Sequence, residues 1–272
     1  MKDMLLRSLS GLLYVVLLIV ALSLNTPHLF TILFFILGIL SLFEFNKLIQ
    51  LKSVIPYVIF TILYAFFGYW QMAIKSDTGV DEATQILVVI TIFVDLFLIK
   101  DLFSRKTIPL FITKRFIITT FYLSSGFVFL VLIARVFSAK ILLGAFILVW
   151  VNDSFAYLIG KNFGKQKLFE KISPKKTVEG FLGGLFFSCI ASYFIASLTN
   201  TLSFTNWLML AIIVTVFGTL GDLIESKFKR QAEVKDSGTI MPGHGGLLDR
   251  LDSIIFASPF IYVFLRILHY VS

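Results

Sequence analysis

The sequence is poor in cysteine and in charged residues, and it lacks several common catalytic signatures. A single cysteine, Cys189, stands among 272 residues, which excludes an intramolecular disulfide and a cysteine-ligated metal cluster. Charged residues make up 15% of the chain, against about a quarter in an average soluble domain. The Walker A loop, the glycine-rich dinucleotide fingerprint and the zinc-binding HExxH helix are absent. The commonest signatures of phosphate-loop, dinucleotide and zinc-hydrolase chemistry are therefore excluded.

What the sequence has in excess is apolar residues. They form 58% of the chain, and the mean hydropathy is +0.93. A helix needs roughly 20 apolar residues to cross the hydrocarbon core of a bilayer, and nine runs approach that length. We expect an all-α, polytopic integral membrane protein with about nine transmembrane helices. The expected spans are 9–24, 28–48, 54–74, 83–100, 116–135, 139–160, 179–198, 204–226 and 253–271.

The basic residues predict the orientation. If the N-terminus is cytoplasmic, only Lys75, Arg135, Lys140 and Arg266 lie outside, and 20 of the 24 lysines and arginines face the cytoplasm. Cytoplasmic loops of membrane proteins carry such an excess. Because the basic residues lie between apolar runs and not on a soluble face, the net charge of +8 does not indicate a nucleic-acid partner.

The polar residues are concentrated in the second half of the chain. We interpret 1–272 as a single membrane domain, in which 1–135 is a helical scaffold and 136–272 is the catalytic part. Two cytoplasmic loops of that part, 161–178 and 227–252, are long and rich in charge, glycine and proline. These loops are the expected location of a functional site.

The strongest candidate segment begins where the span 204–226 leaves the bilayer. Asp222, Glu225, Ser226 and Lys229 are three or four residues apart and should share one helix face. A carboxylate such as that of Asp222, at or within the membrane boundary, is costly unless it is paired and is usually functional.

The same segment continues into a turn and the start of the last span. Residues 242–246 (PGHGG) form a turn in which backbone N–H groups could approach an anion, while His244 could be a turn residue or a phosphate or proton donor. Asp249, Arg250 and Asp252 are expected to open the last helix, with the two carboxylates on one face.

Carboxylates from two helices that enter the membrane from one side can hold a hard cation such as Mg²⁺. Neighbouring lysines and arginines are the expected partners of phosphate oxygens. This combination favours a metal–polyphosphate site over a proton path. The alternative is a solvated loop with interfacial ion pairs.

A second candidate segment precedes the span 179–198. Ser173 and Thr177 can cap the start of that helix, and Glu179 can reach back to exposed N–H groups. Lys175 and Lys176 beside the helix N-terminus would make an anion cradle. The alternative is a pair of membrane-surface lysines next to an ordinary cap.

Three further carboxylates lie near cytoplasmic helix ends. Asp153, preceded by Asn152, is expected to face the bundle interior and to contribute to a metal or phosphate site, although an inter-helix hydrogen bond is the alternative. Asp95 and Glu44 have no surrounding motif, and we interpret them as snorkelling or pairing groups.

The stretch from Ser226 to Asp252 resembles the signature of the phosphatidate cytidylyltransferase family, also called CDP-diacylglycerol synthases. The region around Asp153 and the segment 173–180 (SPKKTVEG) resemble that family in the same chain order. The residues that carry the signature are Ser226, Lys229, Arg230, Lys235, Asp236, Gly238, Pro242, His244, Gly245, Gly246, Asp249, Arg250 and Asp252.

The resemblance implies transfer of the cytidylyl group of CTP to phosphatidic acid, with release of pyrophosphate. It implies Mg²⁺ or another divalent cation held by Asp222 and Asp249, with Asp153 and Glu225 as further candidate ligands and a second, monovalent cation as a further candidate. The implied catalytic residues are Asp222, Asp249, Lys229, Arg230, His244 and Arg250; those implied to bind substrate are Ser173, Lys175, Lys176, Thr177, Glu179, Lys235, Asp236, Gly245, Gly246 and Asp252.

The resemblance also implies a homodimer. With the orientation that the basic residues predict, the active site of this multi-pass chain is expected to face the cytoplasm at the cell membrane. Two other readings stay open. One is another CTP-dependent lipid enzyme, such as a CDP-archaeol synthase or a polyprenol kinase. The other is an ion-coupled transporter that uses Asp95 and Asp153.

Overall fold

The structure is a computed structural model that describes residues 2–24, 27–70, 79–104, 107–241, 243 and 245–271. Most of this part of the chain is helical, as the apolar runs predict. The α-helices are α1 (Lys2–Ser23), α2 (Pro27–Leu48), α3 (Ile55–Ala65), α4 (Gly79–Phe103), α5 (Ile112–Ile118), α6 (Ser125–Leu132), α7 (Ala139–Phe163), α8 (Val178–Thr199), α9 (Phe204–Gln231) and α10 (Asp252–Val271). π-Helical segments follow three of them, at Phe66–Trp70, Thr119–Ser124 and Ile133–Ser138.

Five helical stretches of the described chain are long and apolar enough to cross a membrane, judged by length and composition. Two shorter apolar helices, Ser10–Ser23 and Ile55–Gly68, accompany them. An all-α membrane protein is therefore confirmed, while the count of nine spans and the cytoplasmic N-terminus stay predictions. The five stretches are His28–Leu48, Ile112–Phe163, Val178–Thr199, Phe204–Gln231 and Asp252–Tyr270.

The stretch Ile112–Phe163 contains a break that its length requires. Its 52 residues would extend about 78 Å as one straight helix, more than twice the roughly 30 Å hydrocarbon core. At Ser138 the backbone turns extended (φ −171°, ψ 140°), and the Ser138 hydroxyl accepts a hydrogen bond from the N–H of Lys140 at 3.2 Å. This break lies between the predicted spans 116–135 and 139–160.

The predicted loop 161–178 contains a short antiparallel hairpin. Strand β1 (Lys167–Phe169) pairs with β2 (Ser173–Thr177), with Lys167 opposite Thr177 and Phe169 opposite Ser173. The hairpin leads directly into α8, whose first turn is capped by the Thr177 hydroxyl; it accepts a hydrogen bond from the N–H of Gly180 at 3.1 Å. The predicted cap at Thr177 is confirmed, whereas Ser173 lies in the strand.

Helices α7, α8, α9 and α10 pack closely through glycines. A Cβ added at Gly184 of α8 would lie 2.4 Å from Asn152 Oδ1 of α7. A Cβ at Gly221 of α9 would lie 2.9 Å from the Asp252 carbonyl oxygen of α10. Only a residue without a side chain permits these approaches. The contact at Gly221 brings Asp222 next to the start of α10.

The start of the last helix differs from the prediction. Asp249 and Arg250 lie in a 3-10 turn (Leu248–Arg250), and the α-helix begins at Asp252. Leu251 adopts φ −119° between them. The expectation that Asp249 and Asp252 share one face of a continuous helix is therefore wrong. The predicted loop 227–252 also begins too early, because α9 continues to Gln231.

Candidate functional site

The polar face of α9 is formed as the spacing predicts. The Ser226 hydroxyl donates a hydrogen bond to Asp222 Oδ1 at 3.2 Å, one helical turn away. Lys229 Nζ lies 2.5 Å from Glu225 Oε2, again at a spacing of four residues. Because α9 runs on past the apolar part of its span, Lys229 lies on the helix and not in a loop.

Three carboxylates from two helices meet beside this face. One oxygen each from Asp222, Glu225 and Asp252 lies within 4.8 Å of the others. Glu225 is fully buried, and its Oε1 has no hydrogen-bond partner among the described residues. Each of the three carboxylates can offer an oxygen as a metal ligand, and the buried Oε1 of Glu225 is one such oxygen. This arrangement fits a hard divalent cation such as Mg²⁺. We refer to these three residues as the acidic cluster.

The hairpin brings a lysine to the acidic cluster. Lys176 Nζ forms an ion pair with Asp222 Oδ2, and both side chains are partly exposed, at 29% and 28%. Burial alone would lower the pKa of Lys176, but the charge of Asp222 and the hydrogen bond to it raise that pKa above its usual value. The ammonium therefore stays charged at neutral pH.

Asp249 lies on the other side of Lys229, outside the acidic cluster. Its Oδ1 is 2.5 Å from Lys229 Nζ, so one ammonium joins Asp249 to Glu225. Its Oδ2 accepts hydrogen bonds from the N–H groups of Ser237 and Gly246 at 2.9 and 2.8 Å, and from the Ser237 hydroxyl at 3.0 Å. Burial alone would raise the pKa of Asp249, but Lys229 and these donors hold it below its usual value.

A cavity of about 500 Å³ opens next to Asp222. Helices α7, α8 and α9, the hairpin and the segment between α9 and α10 contribute to its wall. The walls combine cations with carboxylates, so the cavity suits a phosphorylated ligand. Eight predicted residues line it: Asp153, Ser173, Lys175, Lys176, Thr177, Asp222, Lys235 and Arg250.

Other predicted residues have different contacts. Arg230 donates hydrogen bonds to the carbonyl oxygens of Ile172 and Val234, both at 3.2 Å, and so fastens the hairpin to the loop after α9. Glu179 reaches exposed N–H groups, as predicted: its carboxylate accepts from its own N–H in the first turn of α8 and from the N–H of Gln166 at 3.1 Å. Asp236 is exposed and lines a second cavity of about 470 Å³. Lys235 lines both this cavity and the one of about 500 Å³.

The glycine turn is only partly described. Gly243 and Gly245 have positive φ angles of 77° and 89°, which other residues rarely adopt. Gly245 forms an antiparallel bridge with Met241, and Gly246 donates to Asp249. The predicted catalytic residue His244 lies outside the described residues.

Two carboxylates that the sequence left without a motif prove to be buried. Asp95 is 1% exposed, and its Oδ1 has no hydrogen-bond partner among the described residues. Glu44 is 2% exposed and contacts the loop that carries Ser237 and Leu248. The pairing expected of Glu44 is present, but with backbone and hydroxyl donors far away in the sequence. The sequence did contain one signal for these residues: a carboxylate inside an apolar helix usually has a partner or a function.

Comparison with known proteins covers nearly the whole chain. A sequence model of the cytidylyltransferase family matches residues 5–268. The phosphatidate cytidylyltransferase of Bacillus subtilis is 36% identical over 279 residues, which cover 98% of this chain and 99% of the relative. The phosphatidate cytidylyltransferase of Staphylococcus aureus is 50% identical over 130 residues, 46% of this chain and 48% of the relative. That of Staphylococcus haemolyticus is 48% identical over 126 residues, with the same coverage.

The full-length family match and the full-length relative agree with the signature between Ser226 and Asp252. They also favour an enzyme over an ion-coupled transporter. This chain belongs to the cytidylyltransferase family.

Proposed function

We propose that this protein is a CTP:phosphatidate cytidylyltransferase, which makes CDP-diacylglycerol and pyrophosphate. The observation that carries the proposal is the cavity beside Asp222, where Lys175, Lys176, Lys235 and Arg250 converge in a chain of this family. Both substrates are polyanions, and four cations in the lining of one cavity offset their mutual repulsion. The names of the full-length and partial relatives point to the same reaction.

The reaction makes modest demands on the protein. An oxygen of the phosphatidate phosphomonoester attacks the α-phosphorus of CTP, and the bond from that phosphorus to the oxygen of the leaving pyrophosphate breaks. The attacking group is already largely ionised at neutral pH, since its second pKa is about 6. No protein nucleophile or strong general base is needed. The task that remains is to position the two phosphates and to stabilise charge on pyrophosphate.

The described residues divide that task. Lys175 and Lys176 come from the hairpin, while Lys235 and Arg250 come from the loop between α9 and α10. Substrate phosphate can compete with Asp222 for Lys176, because that ion pair is partly exposed. Release of Lys176 would in turn free an Asp222 oxygen.

A divalent cation fits the acidic cluster. We propose that Asp222, Glu225 and Asp252 hold it, and that Asp249, one ammonium away through Lys229, remains a predicted ligand. Bound there, Mg²⁺ would neutralise phosphate charge and assist departure of pyrophosphate. Asp153 lines the cavity and is a further candidate ligand.

The placement we propose is the cytoplasmic face of the cell membrane, in a multi-pass chain. It is supported by the excess of basic residues in the segments 161–178 and 227–252. CTP would arrive from the cytosol while phosphatidate stays in the bilayer. The homodimer implied by the resemblance remains a prediction.

The decisive experiment supplies purified enzyme in detergent with CTP labelled at the α-phosphate and with phosphatidic acid. We expect the label in a cytidine-containing lipid, with one pyrophosphate released for each, and loss of product on chelation that is restored by Mg²⁺. Archaeal ether lipid phosphate and polyprenol serve as alternative acceptors, with γ-labelled CTP to detect a kinase. Turnover with either of these, and none with phosphatidic acid, would contradict the proposal.

A further inference from the structure

Glu44, in the part of the chain predicted to be scaffold, contacts the loop between α9 and α10. Its side chain is 2% exposed. Its Oε2 accepts hydrogen bonds from the N–H of Leu248 at 2.9 Å and from the Ser237 hydroxyl at 3.3 Å, across 204 and 193 residues of sequence. A buried carboxylate without donors is costly, so these contacts are what make its burial tolerable.

The loop backbone closes around this carboxylate. A Cβ at Gly238 would lie 2.1 Å from Glu44 Oε1, and one at Gly246 would lie 2.8 Å from Glu44 Oε2. Glycine is thus required on both sides of the carboxylate, because any side chain would displace it. The loop and Glu44 fit each other through these approaches as well as through hydrogen bonds.

A continuous chain of contacts leads from Glu44 to the acidic cluster. The Ser237 hydroxyl that faces Glu44 is also 3.0 Å from Asp249 Oδ2. Asp249 Oδ1 is 2.5 Å from Lys229 Nζ, and that ammonium is 2.5 Å from Glu225 Oε2. Each link is within hydrogen-bonding distance and each of these residues is largely buried, so the contacts form one connected polar network.

We propose that Glu44 is a positioning residue: it fixes the loop that bears Ser237 and Leu248, and through Asp249 and Lys229 it fixes Glu225 for cation binding. The part that concerns the loop is independent of the proposed reaction, whereas the part that concerns the cation rests on the proposed function. In metal sites, residues behind the ligands typically change metal affinity by about 10- to 100-fold when removed.

Packing of α2 has a separate basis. Phe45 stacks edge-on against Tyr122 and Phe228, with ring centroids 5.6 and 5.4 Å away. These contacts hold the end of α2 against the bundle without Glu44. Ser41, one turn before Glu44 on the same helix, is fully buried and offers a matched control.

The test compares Glu44→Ala, Glu44→Gln and Ser41→Ala in purified protein without CTP or lipid. The first readout is hydrogen–deuterium exchange of the segment 232–251, with 164–177 as the internal reference. For Glu44→Ala we expect the amides of Ser237, Gly246 and Leu248 to exchange about tenfold faster because the loop opens more often. Glu44→Gln retains an acceptor for Leu248 and should stay close to the unmodified protein, as should Ser41→Ala.

The second readout is Mn²⁺ binding to the same proteins, followed by electron paramagnetic resonance. Glu44→Ala should bind Mn²⁺ about tenfold more weakly, with recovery in Glu44→Gln. If Glu44→Ala fails to fold, Ser237→Ala replaces it and should show the same selective exchange. Exchange that rises equally in both segments, or Mn²⁺ affinity equal to that of the unmodified protein, would overturn the proposal. Since neither readout requires turnover, failure of the cytidylyl-transfer assay would leave this test intact.

Discussion

Two lysines pair with carboxylates of the same helix, in very different surroundings. Lys176 and Asp222 are 29% and 28% exposed at the edge of the cavity. Lys229 is 9% exposed and lies between Glu225, at 0%, and Asp249, at 9%. An exposed pair is weak and exchangeable, whereas a buried one is costly to break. We infer that the first pair serves binding and the second maintains the site's geometry.

The largest effect should come from Asp222→Asn, which removes a charge from the acidic cluster. Loss of several kcal/mol of electrostatic stabilisation corresponds to about a thousandfold lower kcat. Asp249→Asn should have a similar effect on kcat. Stability of Asp222→Asn should change little, because its ion pair is partly exposed. The measurement is steady-state cytidylyl transfer beside thermal unfolding in detergent.

Asp101→Asn is the matched control, since Asp101 forms an ion pair with Lys114 at 2.8 Å with similar exposure. It should leave kcat unchanged. Near-normal turnover in both Asp222→Asn and Asp249→Asn would refute the metal assignment.

The next largest effect should come from Lys229→Met, on the buried side of the comparison. Methionine approximates the lysine stem but leaves Glu225 and Asp249 without their shared cation. Breaking a buried ion pair in this way typically costs about 3–5 kcal/mol of unfolding free energy. Denaturant titration in mixed micelles measures this. A variant as stable as the unmodified protein would show that the ion pairs of Lys229 with Glu225 and Asp249 do not stabilise the fold.

A smaller effect is expected for Lys176→Ala, on the exposed side. The apparent KM for CTP or phosphatidate should rise about tenfold, as expected for loss of a charge-assisted phosphate contact. The free energy of unfolding should change by no more than about 1 kcal/mol. Lys114→Ala serves as the control, because it removes a comparable exposed pair away from the cavity. Unchanged KM values for both substrates would count against the phosphate-binding role.

The smallest effect concerns pH. Because the folded-state pKa of Asp249 lies below its ordinary value of 3.8, this carboxylate stabilises the fold above that value, and its contribution is lost as the pH falls through the folded-state pKa. Between pH 6 and pH 3, the unfolding free energy should therefore decline more steeply in the unmodified protein than in Asp249→Asn. Parallel pH profiles would contradict this. The buffers contain no divalent cations, so that the pH profile reports the protonation of Asp249 and not the loss of a bound cation.

Local spacing was enough to predict the polar face of α9 and the cap of α8. The face of α9 follows from intervals of three and four residues, which fix side-chain direction in any helix. The Thr177 cap follows from the same kind of local geometry. Apolar runs likewise gave the helical membrane fold. These features depend on neighbours within one or two helical turns, so they can be predicted from the sequence alone.

The remainder depends on contacts between distant segments. The spacing of Asp249 and Asp252 suits one helix face, but Asp249 lies in a 3-10 turn whose first residue, Leu248, donates a hydrogen bond to Glu44, 204 residues away. Similarly, the hairpin in 161–178 carries no alternating apolar pattern, because its lysines face the cavity and solvent. Contacts between distant segments leave no periodic pattern in the sequence. The residues near Glu44 in the sequence therefore do not indicate its contact with the loop between α9 and α10.

The continuation of α9 beyond Asp222 has a consequence for substrate access. The helix runs about nine residues further, to Gln231, which corresponds to roughly 14 Å along its axis. The carboxylate therefore lies well short of the end of its helix, in the lining of the 500 Å³ cavity. In the proposed reaction, the phosphates of CTP would have to enter this cavity to reach Asp222, because the carboxylate does not lie at the helix end.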